Sequence, residues 1–272
     1  MPDSGNIPIL LLGDWRRREF HQARTCLDRW APVAETPSID EAVALVDSTQ
    51  FMPAVIVVAQ AYPGEFSGES LDRLRRRLPL ARIVGLLGSW CEGETRTGHP
   101  WPATIRLYWH QWIAQCHREL DCLSAGSGST WSLPSTATDE ERLLTGPSGP
   151  FDGREGLIAL CAERYETHEW LTAAARRRGY STVWLRPHER VRIDGAKAAV
   201  FNGSAFSDYE VAQLRQLRKN LGPAVPIVAL ADFPRVEDRD RAVAAGAGAV
   251  LSKPLLLDDL YWQLDQLIKP AN

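Results

Sequence analysis

The sequence lacks several features that would assign it to a specialised class of protein. It has no hydrophobic run long enough to cross a membrane, and its amino terminus carries no secretory signal pattern. Its five cysteines are an odd number at irregular spacing, without a Cys-x-x-Cys pair. We therefore expect a cytoplasmic protein with reduced thiols, no membrane association and no disulfide framework.

The sequence also has no large excess of charge of either sign. The formal net charge is −3 over 272 residues, which gives no reason to expect general nucleic-acid binding or attraction to an acidic membrane surface. Arginines cluster at 16–18, 73–77 and 176–178, but each cluster lies beside apolar positions of a predicted helix. We interpret these clusters as solvated helix faces.

The first half of the chain alternates short apolar runs with amphipathic segments. The clearest run, AVIVVAQ, follows Pro53 and is continuously apolar, as in a parallel strand that is buried on both faces. Further strands are predicted at Ile7–Leu12 and Ala81–Leu87, and helices at Arg16–Trp30, Asp40–Val46 and Ser70–Leu78. Because parallel neighbours need helical crossovers, this alternation predicts an α/β fold with a doubly wound parallel sheet.

The second half repeats the plan. Strands are predicted at Gly156–Ala162, Ser181–Leu185, Lys197–Phe201, Pro226–Ala231 and Ala249–Leu251. Helices are predicted at Thr167–Arg178, Tyr209–Leu221 and Arg239–Ala245, with a last one from about Asp258. Five strands and five helices are expected in the order of a flavodoxin-like fold, with functional loops outside the carboxyl ends of the strands.

The two halves are separated by a segment that is rich in Ser, Gly, Thr and Pro, from Ser124 to Glu155. Such a composition favours a flexible tether, although Trp131 is a residue that would dock on a folded surface. We predict a first domain at residues 1–123, a linker at 124–155 and a second domain at 156–272.

One stretch near the carboxyl terminus points to a family. From Val243 to Leu264, an Ala- and Gly-rich helix end is followed by a short strand, the pair Lys253-Pro254 and an amphipathic helix. This stretch resembles the end of a response-regulator receiver (CheY-like) domain, where the lysine pairs with a phosphorylated aspartate and the following proline is usually cis. The resemblance spans Gly156–Leu267 and implies two receiver-like domains in tandem, since the first half follows the same plan more weakly.

The resemblance also implies a phosphorylation pocket that has lost its chemistry. In place of an acidic pair after the first strand the second half has Ala162-Glu163, and Asn202 stands where the phosphoacceptor aspartate belongs. Ala231 replaces the hydroxyl residue, and only Lys253 is retained. An amide is neither a nucleophile nor a good ligand for Mg²⁺, so we expect no phosphorylation. Two alternatives stay open for Lys253, an ion pair with Glu163 beside Asn202 or a solvated loop lysine.

In the first half, Asp14 occupies the place of the acidic pair and the central strand ends at Ala59-Gln60, without a phosphoacceptor. The stretch that follows Leu87 is unusually rich in Trp, Cys, His and Arg, and we call residues 88–112 the Trp-rich segment. A connection this long often carries binding residues. The candidate binding residues are Trp90, Cys91, Glu92, Arg96, His99, Trp101, Arg106, Tyr108 and Trp109.

Other interpretations of the Trp-rich segment compete with recognition. A catalytic site would use Cys91 as nucleophile, His99 as base and Glu92 or Glu94 as the orienting carboxylate. A metal site would draw on ligands that show no standard zinc spacing, namely Cys91, His99, His110, Cys116 and His117. The structural alternative is that the tryptophans cover the edge of the sheet.

We therefore predict a phosphorylation-independent pseudo-receiver, not an enzyme, that binds protein partners in signalling or gene regulation without a cofactor. The alternative is an enzyme or metal-binding protein that uses the Trp-rich segment. A homodimer is a further possibility, because the last helix is rich in apolar residues: Leu257, Leu260, Tyr261, Trp262, Leu264 and Leu267.

Overall fold

The computed structural model describes residues 7–30, 32–49, 51–102, 104–134, 137–138, 140–141 and 153–268. The chain divides into two compact units, Met1–Ser148 and Gly149–Asn272. Within the described residues, no helix has the length and apolar character needed to cross a membrane.

The first unit is built on a five-stranded parallel sheet. Its strands are β1 (Ile9–Gly13), β2 (Val33–Thr36), β3 (Val55–Gln60), β4 (Arg82–Leu87) and β5 (Ile105–Tyr108). They are arranged in the order β2-β1-β3-β4-β5. The helices are α1 (Arg18–Leu27), α2 (Ile39–Ser48), α3 (Gly68–Arg77), α4 (Glu94–Thr97) and α5 (Trp112–Ser124), with short 3-10 turns at Ser89–Cys91 and Thr130–Ser132.

The second unit has its own five-stranded parallel sheet. Its strands are β6 (Leu157–Cys161), β7 (Ser181–Leu185), β8 (Ala196–Asn202), β9 (Ile227–Asp232) and β10 (Ala249–Lys253). They are arranged in the order β10-β9-β8-β6-β7. The helices are α6 (Tyr165–Arg177), α7 (Asp208–Leu221), α8 (Val236–Ala244) and α9 (Leu257–Leu267). Each sheet thus has the flavodoxin-like order 2-1-3-4-5, which confirms the predicted fold class.

The central strands form because their side chains are apolar on both faces. Every residue of β1 and of β3 is buried, including Gln60 at the end of β3. Two helices of the first unit begin at a serine whose side chain accepts a free backbone N–H group, Ser38 for α2 and Ser67 for α3. Helical layers on both faces then remove the strands from water.

Two strands of the first unit were not predicted. In β2 only Thr36 is buried, so its four residues lack the apolar run that marked the central strands. The fifth strand, β5, lies inside the Trp-rich segment, where Arg106 and Tyr108 interrupt the apolar pattern. Half of this segment is therefore sheet and helix instead of an irregular loop.

The second unit differs from its prediction by one helix. Between β7 and β8 the ten residues 186–195 form an irregular loop with one turn at 187–188, so residues 153–268 contain four helices, not the expected five. This stretch carries Pro187 and Gly195 and has no apolar helical face. Helix α7 holds it in place. The side-chain amide of Asn220 donates to the backbone carbonyl of Glu189 at 2.8 Å, and the backbone carbonyl of Asn220 accepts from Ile193 N at 3.0 Å.

The first part of the predicted linker packs on the first unit. Trp131 is buried, and its ring centroid lies 5.9 Å from that of Trp112 in α5. The Glu119 carboxylate accepts from the Ser129 hydroxyl at 2.7 Å and from Trp131 N at 3.4 Å. The rest of the linker lies largely outside the described residues, and the boundaries at 123 and 156 stay predictions.

Candidate functional site

The candidate site of the second unit lies where three neighbouring strands end. Asn202 ends β8, Asp232 ends β9 and Lys253 ends β10. The register of the parallel pairs places Lys253 directly beside Asp232. Since all strands point the same way, the three polar side chains meet at one edge of the sheet, the usual place for functional groups in this type of fold.

The ammonium group of Lys253 is bound by groups of its own unit. Its Nζ atom donates to Asn202 Oδ1 at 3.2 Å and to the Gly203 carbonyl at 2.8 Å, and it lies 3.0 Å from Asp232 Oδ1. An ammonium has three N–H donors, so these three acceptors match its capacity. The Lys253-Pro254 peptide bond is cis, as in the family that the sequence resembles.

Asp232 is held by a second set of contacts. The Ser204 hydroxyl donates to Asp232 Oδ2 at 2.6 Å, and Ser204 N donates to Glu210 Oε1 at 2.7 Å. Burial by itself raises the pKa of Asp232, but the hydrogen bond from Ser204 and the contact with Lys253 outweigh it, and the pKa lies below its usual value. The edge therefore carries an ionised carboxylate beside an ammonium.

The positions predicted for this pocket are placed as follows. Glu163 is exposed and Ala231 is fully buried in the core, one residue before the end of β9. Lys253 lies beside Asn202, as the first alternative expected, but its acidic partner is Asp232 and not Glu163. Its side chain is only 26% exposed, which differs from a solvated loop lysine. Sequence reasoning missed Asp232 and Ser204, although the aspartate directly follows Ala231 in the strand sequence IVALAD.

Different side chains lie at the corresponding edge of the first sheet. Asp14 accepts from both the backbone N and Nε of Arg16, at 3.2 and 3.0 Å, and these hydrogen bonds lower its pKa. Ala59 is buried within β3. The carboxylate of Glu19 accepts from Ser89 N at 3.1 Å, and burial raises its pKa.

A glycine admits this Glu19 carboxylate. A Cβ atom at Gly88 would lie 2.5 Å from Glu19 Oε1 and 2.9 Å from the Ala61 carbonyl, so any larger residue would displace one of them. The space between the ends of β3 and β4 is thus occupied by a side chain from α1.

A buried polar cluster fills the side of this edge next to β5. The Gln60 amide nitrogen lies 3.3 Å from Glu94 Oε1 and 3.5 Å from Cys91 Sγ, and Arg106 Nη2 donates to Glu94 Oε2 at 2.5 Å. Glu94 is only 4% exposed, and Arg106 supplies the cationic partner that a buried carboxylate needs. Burial raises the pKa of the Cys91 thiol to about 11.

The tryptophans of the Trp-rich segment have two different roles. Trp101 is buried and donates from Nε1 to the Phe66 carbonyl at 2.9 Å, and Trp109 is buried and donates to Ser89 Oγ at 3.0 Å. These two cover the sheet, as the structural alternative expected. Trp90, by contrast, is 74% exposed, and Arg96 and His99 are exposed in the same segment.

The remaining candidates of this segment are partly or fully enclosed. Glu92 lies 3.5 Å from His110 Nε2, and the ring of Tyr108 stacks on that of His110 at a centroid distance of 5.6 Å. Cys91 contacts Gln60 and is fully buried, whereas His99 is exposed, so the proposed nucleophile and base occupy different environments. Among the residues that the structure describes, no three His, Cys, Asp or Glu side chains converge as a metal site would require.

No family model matches this chain, and no curated protein sequence is similar to it. Solved structures are similar in fold. The receiver domain of the Francisella response regulator 1452 is 16% identical, with 42% of this chain and 96% of that chain covered and a TM-score of 0.36. A CheY-like receiver domain protein from Methanospirillum hungatei JF-1 is 18% identical, with 42% and 97% covered and a TM-score of 0.36.

A putative two-component system response regulator/GGDEF domain protein covers both units, with 96% of this chain and 98% of that chain aligned at 12% identity and a TM-score of 0.32. The strand order of both sheets, together with the cis Lys253-Pro254 bond at the end of β10, makes this chain a tandem of two receiver-like domains by fold.

Proposed function

We propose that the chain is a phosphorylation-independent pseudo-receiver that acts as a protein–protein interaction or scaffold module in signalling or gene regulation. The observation that carries the proposal is the contact of Lys253 Nζ with Asn202 Oδ1 at 3.2 Å. In the family that the sequence resembles, a phosphorylated aspartate stands at that position and the lysine forms an ion pair with it. Here the lysine already binds an amide that cannot accept a phosphoryl group.

The other contacts of Lys253 support one fixed state. Asp232 and the Gly203 carbonyl supply its remaining acceptors, so its charge is compensated without an external anion. A switch needs a ligand that binds one state more tightly than another. A corner whose ammonium is already saturated offers little for such a ligand to change.

Phosphodonor labelling tests this part of the proposal. The full chain is incubated with acetyl phosphate and Mg²⁺, and with beryllofluoride and Mg²⁺, beside a phosphorylatable receiver as positive control. We expect the intact mass to stay unchanged and beryllofluoride to leave the amide spectrum of the second unit unperturbed. Asp232→Asn serves as a matched variant, because Asp232 is a half-exposed carboxylate next to Lys253. A label that disappears in this variant would move the acceptor to β9 and end the proposal.

The proposed contact surface is the exposed part of the Trp-rich segment. Trp90 and Arg96 are of the types that dominate binding energy at protein interfaces, and both are exposed together with His99 in the connection after β4. Cys91, Trp101 and Trp109 of the same segment are buried and do not belong to this surface. The proposed module is not an enzyme, since Cys91, its candidate nucleophile, is a buried thiol with a pKa of about 11.

Partner capture with matched variants tests the surface. The double variant Trp90→Ala, Arg96→Ala removes two exposed side chains, and Leu80→Ala removes an equally exposed apolar side chain (85%) that precedes β4 at the opposite edge of the sheet. A specific partner, identified by cross-linking and mass spectrometry, should be lost from the double variant and retained by Leu80→Ala. Equal capture by all three proteins would place the surface elsewhere.

Homodimerisation through α9 is a second form of assembly that we propose to test. Leu260, Tyr261 and Leu264 of α9 are buried within their own unit, so much of the apolar excess of this helix is used internally. Leu256, just before α9, is 45% exposed. Light scattering of the wild type and of Leu256→Asp decides whether this face joins two copies.

A further inference from the structure

We propose that Cys26 and Cys116 form a reversible disulfide, which makes this cysteine pair a redox modification site of the first unit. Cys26 lies on α1 and Cys116 on α5, and their sulfur atoms are 4.0 Å apart. The proposal is independent of the pseudo-receiver function, since it rests on a different face of the fold.

The geometry requires little movement. A disulfide needs its sulfurs at about 2.0 Å, so they must approach by about 2 Å, which is within reach of a side-chain rotation at Cys26. Arg29, two residues beyond the end of α1, contacts Asp121 of α5 with Nη2 3.2 Å from Oδ1, so the two segments also lie close together at the surface.

The two thiols have complementary environments. Cys26 is half-buried and accepts a hydrogen bond from Trp112 Nε1 at 3.2 Å, whereas Cys116 is fully buried. The contact with Cys116, the Trp112 hydrogen bond and the charge of Arg29 lower the pKa of Cys26 against the effect of burial. Burial raises the pKa of Cys116. Because the thiolate is the reactive form, Cys26 attacks first and Cys116 resolves.

The other buried cysteines are poor competitors. Burial raises the pKa of Cys91 to about 11 and that of Cys161 to about 12, so both stay protonated at neutral pH. Cys122 is half-buried on α5 and is the relevant control, since it shares the helix of Cys116.

The chemistry balances with a peroxide as oxidant. The Cys26 thiolate attacks one oxygen of hydrogen peroxide, the O–O bond breaks, hydroxide leaves and Cys26 becomes a sulfenic acid. The Cys116 sulfur then attacks the Cys26 sulfur, the S–O bond breaks, and the sulfenic hydroxyl leaves as water with the proton of the Cys116 thiol. A dithiol reductant reverses the reaction by thiol–disulfide exchange.

The disulfide would restrain α5, the helix on which the segment around Trp131 packs. Helix α5 carries Trp112, which packs against Trp131, and Glu119, which binds Ser129 and the backbone of Trp131. A covalent link from α1 to α5 therefore restrains the place where the chain leaves its first sheet. It also closes a loop between residues 90 positions apart, which stabilises the oxidised form relative to the unfolded chain.

The test uses the native full-length chain. Wild type and Cys122→Ser are treated with a small excess of hydrogen peroxide, free thiols are alkylated, and peptides are mapped without reduction. We expect two of the five thiols to be lost in both proteins, a linked peptide pair containing Cys26 and Cys116, recovery on reduction and a higher thermal midpoint in the oxidised form. A link that involves Cys122, or the retention of all thiols under these conditions, would overturn the proposal.

A second variant keeps the proposal falsifiable where a serine in the core disturbs folding. In Cys116→Ala the resolving thiol is absent, so peroxide should leave a sulfenic acid on Cys26 that dimedone traps. Alkylation of Cys26 in the reduced wild type should be at least about tenfold faster than that of Cys91 or Cys161. Comparable alkylation rates for all three thiols in the reduced wild type would show that Cys26 is not the reactive thiol and would refute the assignment.

Discussion

Asp232 Oδ1 lies 3.0 Å from Lys253 Nζ, and the two residues face each other across the paired ends of β9 and β10. Lys253 thus has an acidic partner on its neighbouring strand, and its other side-chain partner is Asn202 at the end of β8. The carboxylate is fixed by the Ser204 hydroxyl at 2.6 Å. This arrangement holds the charge of Lys253 at the carboxyl ends of β8, β9 and β10.

The first prediction concerns the strength of this pair. Asp232→Asn should lower the free energy of unfolding of the second unit by about 1 kcal/mol, because Lys253 is largely buried and loses its only charged contact described here. The exposed pair Arg192–Asp194, with side chains 84% and 79% exposed, provides the control. Asp194→Asn should change stability by less than about 0.5 kcal/mol. Equal effects in denaturant titrations of the two variants would contradict a structural role for Asp232.

The second prediction concerns His117 of α5 and acid pH. Burial and the nearby charge of Arg29 lower the pKa of His117 to about 4 in the folded chain, against about 6.5 for an unfolded chain. The unfolded chain therefore binds more protons between these two values, and stability must fall as the pH drops from about 6.5 to about 4. The contribution of His117 is complete above pH 6.5, and its loss is at most about 3 kcal/mol.

Two measurements check this behaviour. A titration of the His117 ring resonances should show a midpoint near pH 4. His117→Gln should flatten the decrease of unfolding free energy between neutral and acidic pH, while His21→Gln, at an exposed position of α1, should leave it unchanged. A ring midpoint at the value of an exposed histidine would show that the side chain is solvated.

The central strands were predictable because burial on both faces leaves a clear mark on a sequence. A run such as Val55 to Gln60 shows neither the helical nor the strand alternation of polar and apolar residues, and its six residues are all buried. The edge strands β2 and β5 lack this mark. In β5 the polar residues Arg106 and Tyr108 belong to buried or stacked groups whose partners, Glu94 and His110, come from other parts of the Trp-rich segment.

The site was predictable only in part, for a related reason. The interpretation of Asn202 and Ala231 as replacements for chemically active residues depends on residue type alone, so the sequence allowed it, and it stays a prediction. It did not show the partner of Lys253, because the contact with Asp232 depends on which residues two parallel strands pair. The pairing of Cys26 with Cys116 likewise depends on how α1 and α5 pack, and it has no trace in their spacing.

The third prediction concerns the loop at 186–195, which stands in place of an expected helix in the second unit. Asn220→Ala removes the amide that binds the Glu189 carbonyl, so residues 186–195 should exchange their amide hydrogens faster and the unit should lose about 1–2 kcal/mol. Gln216→Ala is the matched control, because Gln216 contacts only the other end of the Asn220 amide, at 2.9 Å in the described structure. Hydrogen exchange measured by mass spectrometry reports on this stretch directly. Unchanged exchange in Asn220→Ala would mean that the Ile193 backbone contact alone holds it.

The last prediction separates the two kinds of tryptophan in the Trp-rich segment. Trp101 is 5% exposed, its ring lies against the face of Gly85 and its Nε1 is bound by the Phe66 carbonyl. Trp101→Ala should therefore cost about 3–5 kcal/mol of unfolding free energy, as expected for a large aromatic side chain removed from a core. Trp90 is 74% exposed, and Trp90→Ala should change stability by less than about 0.5 kcal/mol.

Denaturant titrations of the two variants measure this difference, and circular dichroism of the native proteins shows whether each still folds. The contrast matters for the interpretation of binding experiments, because a partner lost on substitution of Trp101 can be lost through unfolding, whereas a partner lost on substitution of Trp90 cannot. A stable Trp101→Ala variant would mean that the ring lies on the surface of the first unit and belongs to the contact surface after all. A destabilised Trp90→Ala variant would mean that Trp90 packs against the protein and that its exposure is not available to a partner.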